Sequence, residues 1–144
     1  LTVVLSRIAV GFKAAAESKL ADTTALVSCT GEKHTVKEYY NSCRDAAKSF
    51  IHLGLERFES VCILGFNSPE WLMSNNGAIL AGGFAAGIYT TNEPAACEFI
   101  ISDSSARVVV VDGQKQLDKI LEIDPSIAVI LITAYGDVDK AFEL

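Results

Sequence analysis

One stretch of the sequence, residues 61–91, constrains the fold more than any other. It opens on a short apolar run at 61–64, which is typical of a strand buried on both faces. Ser68 is then a good helix N-cap, and Pro69 suits the first helical position. A second apolar run at 84–89 follows the helix. A strand, a helix and a strand joined by short turns predict a right-handed βαβ unit with parallel strands.

The helix of this unit carries its own start and stop signals. Glu70 favours the positive end of the helix dipole, and Gly82 and Gly83 are expected to end the helix. Residues at helical spacing lie between these signals: Trp71, Leu72, Asn75, Ala78, Ile79 and Gly82. The span 82–87 also has the glycine spacing of a phosphate-binding loop, but the lysine that such a loop needs is absent. We therefore assign these glycines to the helix end and to close helix–strand packing.

Before this unit, the sequence predicts a helix, a hairpin and a second helix. Thr2 is expected to cap a helix that runs to about residue 17, with one apolar face formed by Val4, Leu5, Ile8 and Phe12. Residues 25–28 and 34–36 flank a turn and predict two short antiparallel strands.

The second helix is marked more clearly than the first. Thr35 and Glu38 fit a capping box, in which each residue satisfies a free amide of the other. Positions three and four apart then form one apolar stripe: Val36, Tyr40, Cys43, Ala47 and Phe50. Gly54 lies where the C-cap of this helix belongs.

Helices and strands keep alternating after the central unit. The predicted elements are a helix that opens at 91–94 and ends at 103–105, a strand at 108–111, a helix ending before Pro125, and a strand at 128–133. Asp112 is expected to cap the last helix, which turns Leu117, Ile120 and Leu121 inward. Residues 136–144 have no clear partner and are interpreted as a cut end. The alternation predicts one α/β domain with a mostly parallel sheet and flanking helices.

Composition excludes several classes of function. Half of the 144 residues are hydrophobic, which allows a substantial core. The net charge of −6 argues against a nucleic-acid binder, because phosphate neutralisation needs clustered Lys and Arg. The longest apolar stretch, at about 77–88, is much shorter than the ~20 residues that span a bilayer, so no transmembrane helix is predicted. Residues 1–10 lack the shape of a signal peptide.

The four cysteines are widely spaced and form no C-x-x-C pair. They are Cys29, Cys43, Cys62 and Cys97. Reduced, buried thiols in a cytosolic protein are therefore preferred over disulfides.

The polar residues form no catalytic constellation. His34 and His52 lack partners at metal-ligand spacing and are assigned to the surface. Ser68 follows G-F-N rather than the G-x of a nucleophile elbow, so it is read as a helix cap. Asp112 lies at the carboxyl end of a strand, where α/β folds bind ligands, but a helix cap is the preferred interpretation. Trp71 is assigned to the core, with the wall of a ligand cavity as the alternative.

Six runs of residues along the chain carry a resemblance to a known protein family. They are HTVKEYY at 34–40, CILGFNSPEW at 62–71, GAILAGG at 77–83, GIYTT at 87–91, EPAAC at 93–97 and VDGQKQLDKIL at 111–121. The sequence resembles the long-chain acyl-CoA synthetases of the bubblegum type, which belong to the adenylate-forming superfamily. The NSPEW run after an ILGF strand is the specific part of this resemblance.

The resemblance implies a two-step ligase. A long-chain fatty acid and Mg-ATP give an acyl-adenylate and pyrophosphate, and CoA then displaces AMP to form the thioester. It thus implies ATP, Mg²⁺ and CoA for the full-length protein. A cytoplasmic location, with peripheral attachment to the endoplasmic reticulum membrane, is expected from the family alone.

The sequence departs from the family in length. The family's phosphate loop, adenine-binding segment, ribose-binding Asp and C-terminal lid with its catalytic Lys are expected after residue 144. No catalytic, cofactor-binding or metal-ligating residue is therefore assigned to a position in this sequence. Residues 1–144 are interpreted as a partial AMP-binding domain, the N-terminal subdomain, which is inactive alone. The alternatives are a truncated, non-catalytic paralogue acting as an interaction module and an unrelated flavodoxin-like binding domain.

Overall fold

The computed structural model describes residues 2–132, and it confirms the predicted α/β fold. The elements in chain order are α1 (Thr2–Ala16), β1 (Thr24–Val27), β2 (Lys33–Thr35), α2 (Val36–His52), β3 (Ser60–Leu64), α3 (Pro69–Leu80), β4 (Phe84–Ile88), α4 (Pro94–Asp103), β5 (Ala106–Val111), α5 (Gln114–Ile123) and β6 (Ala128–Leu131). The side chains of Thr2, Val4 and Leu5, residue 133 and the expected cut end at 136–144 lie outside the described part. No helix within residues 2–132 is long and apolar enough to cross a membrane.

Two sheets organise the described residues. β1 and β2 pair antiparallel, as the hairpin prediction required. The other four strands form a parallel sheet in the order β4-β3-β5-β6. The central unit is therefore confirmed as two adjacent parallel strands joined by α3.

β3 is the centre of the sheet, and all five of its residues are buried. Its side chains alternate between two hydrophobic clusters. Val61 and Ile63 pack with residues of α2 and α3, including Phe50 and Ala78. Cys62 and Leu64 belong to the cluster that α4 and α5 cover on the opposite face. Burial on both faces explains why β3 reads as a continuous apolar run rather than an alternating one.

The helix ends follow the local signals in the sequence. Ser68 caps α3, since its hydroxyl accepts the Trp71 amide at 3.1 Å. Gly82, just past the end of α3, has a φ of 91°, and Gly54, just past α2, has a φ of 92°. This left-handed conformation favours glycine, because a Cβ would strain it. The assignment of Gly82 to a helix end is thus confirmed.

The inward position predicted for Leu121 is wrong, and Leu72, which shares the helical spacing of α3, is exposed as well. Leu72 is 39% exposed and Leu121 is 37% exposed. α3 instead buries a face that contains Ser74 and Gly77, because it lies against α2 through small side chains. Hydrophobic periodicity does not register such a face, since small and polar residues carry little apolar signal.

The capping box of α2 forms as predicted and makes the stability of the helix depend on pH. The Thr35 amide donates to Glu38 Oε2 at 2.8 Å, and the Glu38 amide donates to Thr35 Oγ1 at 3.2 Å. The backbone hydrogen bond from Thr35, followed by its side-chain bond, holds the pKa of the Glu38 carboxyl below its ordinary value of 4.5.

A Glu38→Gln variant tests this dependence. Because the folded-state pKa of Glu38 is lowered, its charge stabilises the fold above pH 4.5, and this stabilisation is lost as the pH falls through the lowered pKa. We expect the wild-type chain to be more stable than Glu38→Gln at pH 7 and the difference to vanish under acid conditions. Urea unfolding across this pH range measures it; a difference that is the same at every pH would contradict the assignment.

Candidate functional site

The carboxyl ends of β3, β4 and β5 meet at one edge of the parallel sheet, the carboxyl edge. In the strand register, Leu64 lies between Ile88 and Val111. The segments that leave these three positions are the turn at 65–68, the loop at 89–93 and Asp112. Open α/β sheets bind ligands at such an edge, which makes it the candidate functional site.

A groove of about 390 Å³ lies between the turn after β3 and the end of β4. Its lining consists of Gly65, Phe66, Asn67, Trp71, Gly87, Ile88, Tyr89 and Thr90. None of these lining side chains is charged. Phe66 is 73% exposed and Tyr89 is 80% exposed, so two aromatic rings flank the groove with most of their surface in water. Exposed aromatic surface of this kind favours contact with an apolar partner or ligand.

Trp71 connects this groove with a second cavity of about 520 Å³. The second cavity lies between the hairpin and the start of α3, and Asn67 also lines both cavities. Trp71 is only partly buried, and it packs against the cluster beneath α2 and α3. The core assignment therefore holds for part of the indole, and the rest of the Trp71 side chain lines the two cavities.

Asp112 does not cap α5, contrary to the sequence-based expectation. The N-cap of α5 is Gly113, which makes no side-chain capping bond. The Asp112 carboxylate instead accepts the Phe66 amide at 2.7 Å, across 46 residues of chain. A carboxylate at the end of β5 can reach the turn after β3 because those two strands are neighbours. Asp112 is thus part of the carboxyl edge, as its place at a strand end suggested.

Lys119 is a residue of this edge that sequence reasoning missed. It lies on α5, and its ammonium donates to the carbonyl oxygens of Thr90 at 3.2 Å and Asn92 at 2.8 Å. These carbonyls belong to the loop after β4. No local pattern around Lys119 signals the contact, since its partners are 27 and 29 residues away.

The two histidines take different places. His52 is exposed, as expected. His34 is not a surface residue, because its side chain is only 18% exposed and its Nε2 has no hydrogen-bond partner. Glu32 Oε1 lies 4.0 Å from that nitrogen. The surface assignment is thus correct for His52 and wrong for His34, whose side chain is partly buried.

The groove does not fit a triphosphate, and the described residues offer no cluster of ligands for Mg²⁺. Mg²⁺ prefers carboxylate oxygens and substrate phosphates, and a triphosphate needs basic groups around it. Among residues 2–132 no group of three or more His, Cys, Asp and Glu residues could hold a metal ion. The ammonium of Lys119 is bonded to two carbonyl oxygens rather than facing the groove as a free cation. The groove lining combines aromatic rings with the uncharged polar side chains of Asn67 and Thr90, so it offers no cation to a triphosphate.

The four cysteines differ in burial, and we therefore expect their thiols to differ in reactivity. All four are free, as predicted, but Cys29 is exposed, which corrects the expectation that it is buried. Burial raises the pKa of Cys43 to about 12, and burial is also the first cause of the raised pKa values of Cys62 and Cys97.

The native chain should therefore react quickly with a thiol reagent at Cys29 only. The thiolate is the nucleophile, so both the raised pKa and the lack of access protect the other three thiols. We expect one fast equivalent in native buffer and four after denaturation, measured with a chromogenic disulfide reagent at pH 8. A Cys29→Ser variant is the control and should lose the fast equivalent; two or more fast equivalents would contradict the burial of the other thiols.

The chain is similar in sequence to a known family and to several curated proteins. The sequence pattern of a family described as AMP-binding enzyme matches residues 12–143. The Long-chain-fatty-acid--CoA ligase ACSBG2 of Xenopus laevis is 52% identical over 109 residues, which are 74% of this chain and 15% of that protein. The Long-chain-fatty-acid--CoA ligase ACSBG1 of Rattus norvegicus is 55% identical over 92 residues, 64% of this chain and 13% of that protein. The chain thus spans only a small part of the length of the curated relatives it matches.

Solved structures show the same architecture. The anthranilate CoA ligase AuaEII, crystallised with anthranoyl-AMP, superimposes with a TM-score of 0.76 at 28% identity. That match covers 86% of this chain and 24% of the ligase. VinN, in complex with L-aspartate, gives a TM-score of 0.78 over 87% of this chain and 34% of VinN. Its identity of 16% means that it shows the fold alone.

Proposed function

The chain belongs to the AMP-binding enzyme family, and from this premise we propose that its full-length protein is a long-chain fatty acid–CoA ligase. The family match excludes an unrelated flavodoxin-like domain, and the resemblance to bubblegum-type acyl-CoA synthetases is confirmed. The observation that carries the proposal is the identity of 52% and 55% to two proteins that both bear the name long-chain-fatty-acid–CoA ligase.

The proposed reaction activates a carboxylate that is a poor electrophile. The fatty acid and ATP form an acyl-adenylate and pyrophosphate, and CoA then takes the acyl group as AMP leaves. ATP, Mg²⁺ and CoA are the partners that this reaction requires. The groove lining carries no charged side chain, and no group of three or more His, Cys, Asp and Glu residues among residues 2–132 could hold a metal ion. We therefore place the contribution of these residues in the scaffold and in the uncharged groove at the carboxyl edge. We predict that the catalytic and ATP-binding residues lie after residue 144.

The test is product formation by the purified full-length protein. With palmitate, ATP, Mg²⁺ and CoA, we expect palmitoyl-CoA and AMP in equal amounts, and far less AMP when acetate replaces palmitate. Omitting CoA should abolish the thioester. AMP formation with acetate alone would contradict the substrate class. A folded full-length protein that forms no AMP with any acid would contradict the ligase and favour the interaction module.

We also propose that the full-length protein is cytoplasmic and attached peripherally to the endoplasmic reticulum membrane. The support is the proposed substrate, because long-chain fatty acids partition into bilayers. Cell fractionation should recover the protein with these membranes, and alkaline carbonate should release it. Retention after carbonate treatment would contradict peripheral attachment.

A further inference from the structure

Two charged residues at either end of one short segment, 112–119, hold the two sides of the groove. The first, Asp112, makes two bonds to the end of β3. Its amide donates to the Leu64 carbonyl at 3.3 Å, and its carboxylate accepts the Phe66 amide at 2.7 Å. The turn that carries Phe66 and Asn67 into the groove is thereby fixed to the end of β5.

Gly65 is the steric counterpart of Asp112. A Cβ at Gly65 would lie 2.9 Å from the Cβ of Asp112 and 3.1 Å from its Oδ2. Real Cβ atoms do not approach so closely, so the Asp112 side chain can occupy this place only because residue 65 has no side chain. The contact therefore depends on the residues at both strand ends, because Gly65 leaves the space that the Asp112 side chain occupies.

Lys119 holds the opposite side. Its bonds to Thr90 and Asn92 fix the loop after β4, directly beyond the exposed ring of Tyr89. A hydrogen bond from a charged donor is stronger than a neutral one, and here one ammonium joins two carbonyls of the same loop. α5 therefore sets the position of this loop from outside the groove.

We propose that Asp112 and Lys119 are positioning residues, which set the spacing of the two groove walls for the hydrocarbon part of a fatty acid. The inference rests on the proposed function for the identity of the ligand. The lining carries no charged side chain, and its exposed rings, Phe66 and Tyr89, offer apolar surface to an alkyl chain. Neither charged residue lines the groove, so each acts only through the wall that it holds.

An effect on groove shape should weaken binding without slowing the chemistry. Interactions made equally in the ground state and the transition state change KM and leave kcat alone. Loss of either residue should therefore raise the Kd for palmitate by roughly threefold to tenfold, which corresponds to about 0.7–1.4 kcal/mol, the net contribution of about one hydrogen bond. The rate at saturating palmitate should stay within about twofold.

The experiment uses the full-length protein with Asp112→Ala, Asp112→Asn and Lys119→Met. Hydrogen exchange reports the walls: Asp112→Ala should speed exchange in a peptide spanning 64–67, and Lys119→Met in a peptide spanning 89–93. Displacement of a fluorescent fatty acid by palmitate gives Kd without requiring turnover. Asp112→Asn keeps an acceptor oxygen and should recover most of both readouts. Matched controls on the exposed side of α5 are Asp118→Ala and Lys115→Met, which should change neither.

The readouts separate the possible failures. Faster exchange with an unchanged palmitate Kd would show a purely structural role and overturn the inference. A weaker palmitate Kd without faster exchange would overturn the claim that these residues act through the walls. If the wild-type protein binds palmitate but forms no palmitoyl-CoA, the ligase proposal fails, and the exchange and Kd comparisons still decide the positioning role.

Discussion

Replacing Phe50 by alanine is expected to lower the free energy of unfolding by about 3–5 kcal/mol. Phe50 is 1% exposed and is the largest fully buried side chain of the chain's described part. It packs from α2 into the cluster that contains Ile63 and Val110 of the central strands. The loss combines the transfer free energy of the ring with the cavity left behind, because close-packed neighbours relax only in part.

The size of this effect matters because domains are stable by only about 5–15 kcal/mol in total. Phe50→Ala therefore removes a large share of the stability, and urea unfolding at pH 7 should show a much lower midpoint. The adjacent Ile51 is the matched control, since it belongs to the same helix and is 56% exposed. Ile51→Ala should cost less than about 1 kcal/mol. Equal losses in both variants would contradict the placement of the α2 face.

Replacing Gly77 by alanine is expected to destabilise the chain by about 1–3 kcal/mol, although alanine is the better helix former. A Cβ at Gly77 would lie 2.7 Å from the Cβ of Ala46 and 3.2 Å from the Cys43 carbonyl oxygen. It would also meet the Phe50 ring at 3.2 Å. α2 and α3 must therefore move apart, and the loss of packing outweighs the gain of roughly 1 kcal/mol in helix propensity.

Gly11 provides a control of opposite sign. It lies inside α1, and a Cβ there would meet nothing within 4 Å. Gly11→Ala should therefore stabilise the chain by up to about 1 kcal/mol. Thermal unfolding of both variants measures the contrast. If Gly77→Ala also raises the melting temperature, the close contact between α2 and α3 is wrong.

Most of the fold could be predicted because its signals are local. The apolar run of β3, the capping box at Thr35 and Glu38, and the cap at Ser68 each depend on a few consecutive residues. The sheet order could not be read in this way. β5 pairs with β3 rather than with β4, its predecessor in the chain, and no local pattern specifies that crossover.

The candidate site was predicted only in part, since its contacts join distant segments. An aspartate before a helix suits a cap, and the competing partner of Asp112, the Phe66 amide, becomes visible only when β3 and β5 are paired. Lys119 gave no signal for the same reason. Trp71 is assigned to the core from the sequence, and part of its side chain does pack against the core cluster. Another part lines the groove, which the sequence pattern does not reveal.

The most direct test of the account is ATP–pyrophosphate exchange, which measures adenylate formation without CoA. We compare the full-length protein with the 144-residue chain, each with Mg²⁺, ATP, labelled pyrophosphate and palmitate. We expect palmitate-dependent exchange by the full-length protein and none by residues 1–144, because the groove of residues 2–132 carries no charged side chain and these residues offer no cluster of metal ligands. Exchange by the 144-residue chain alone, or its absence from the folded full-length protein, would contradict the account.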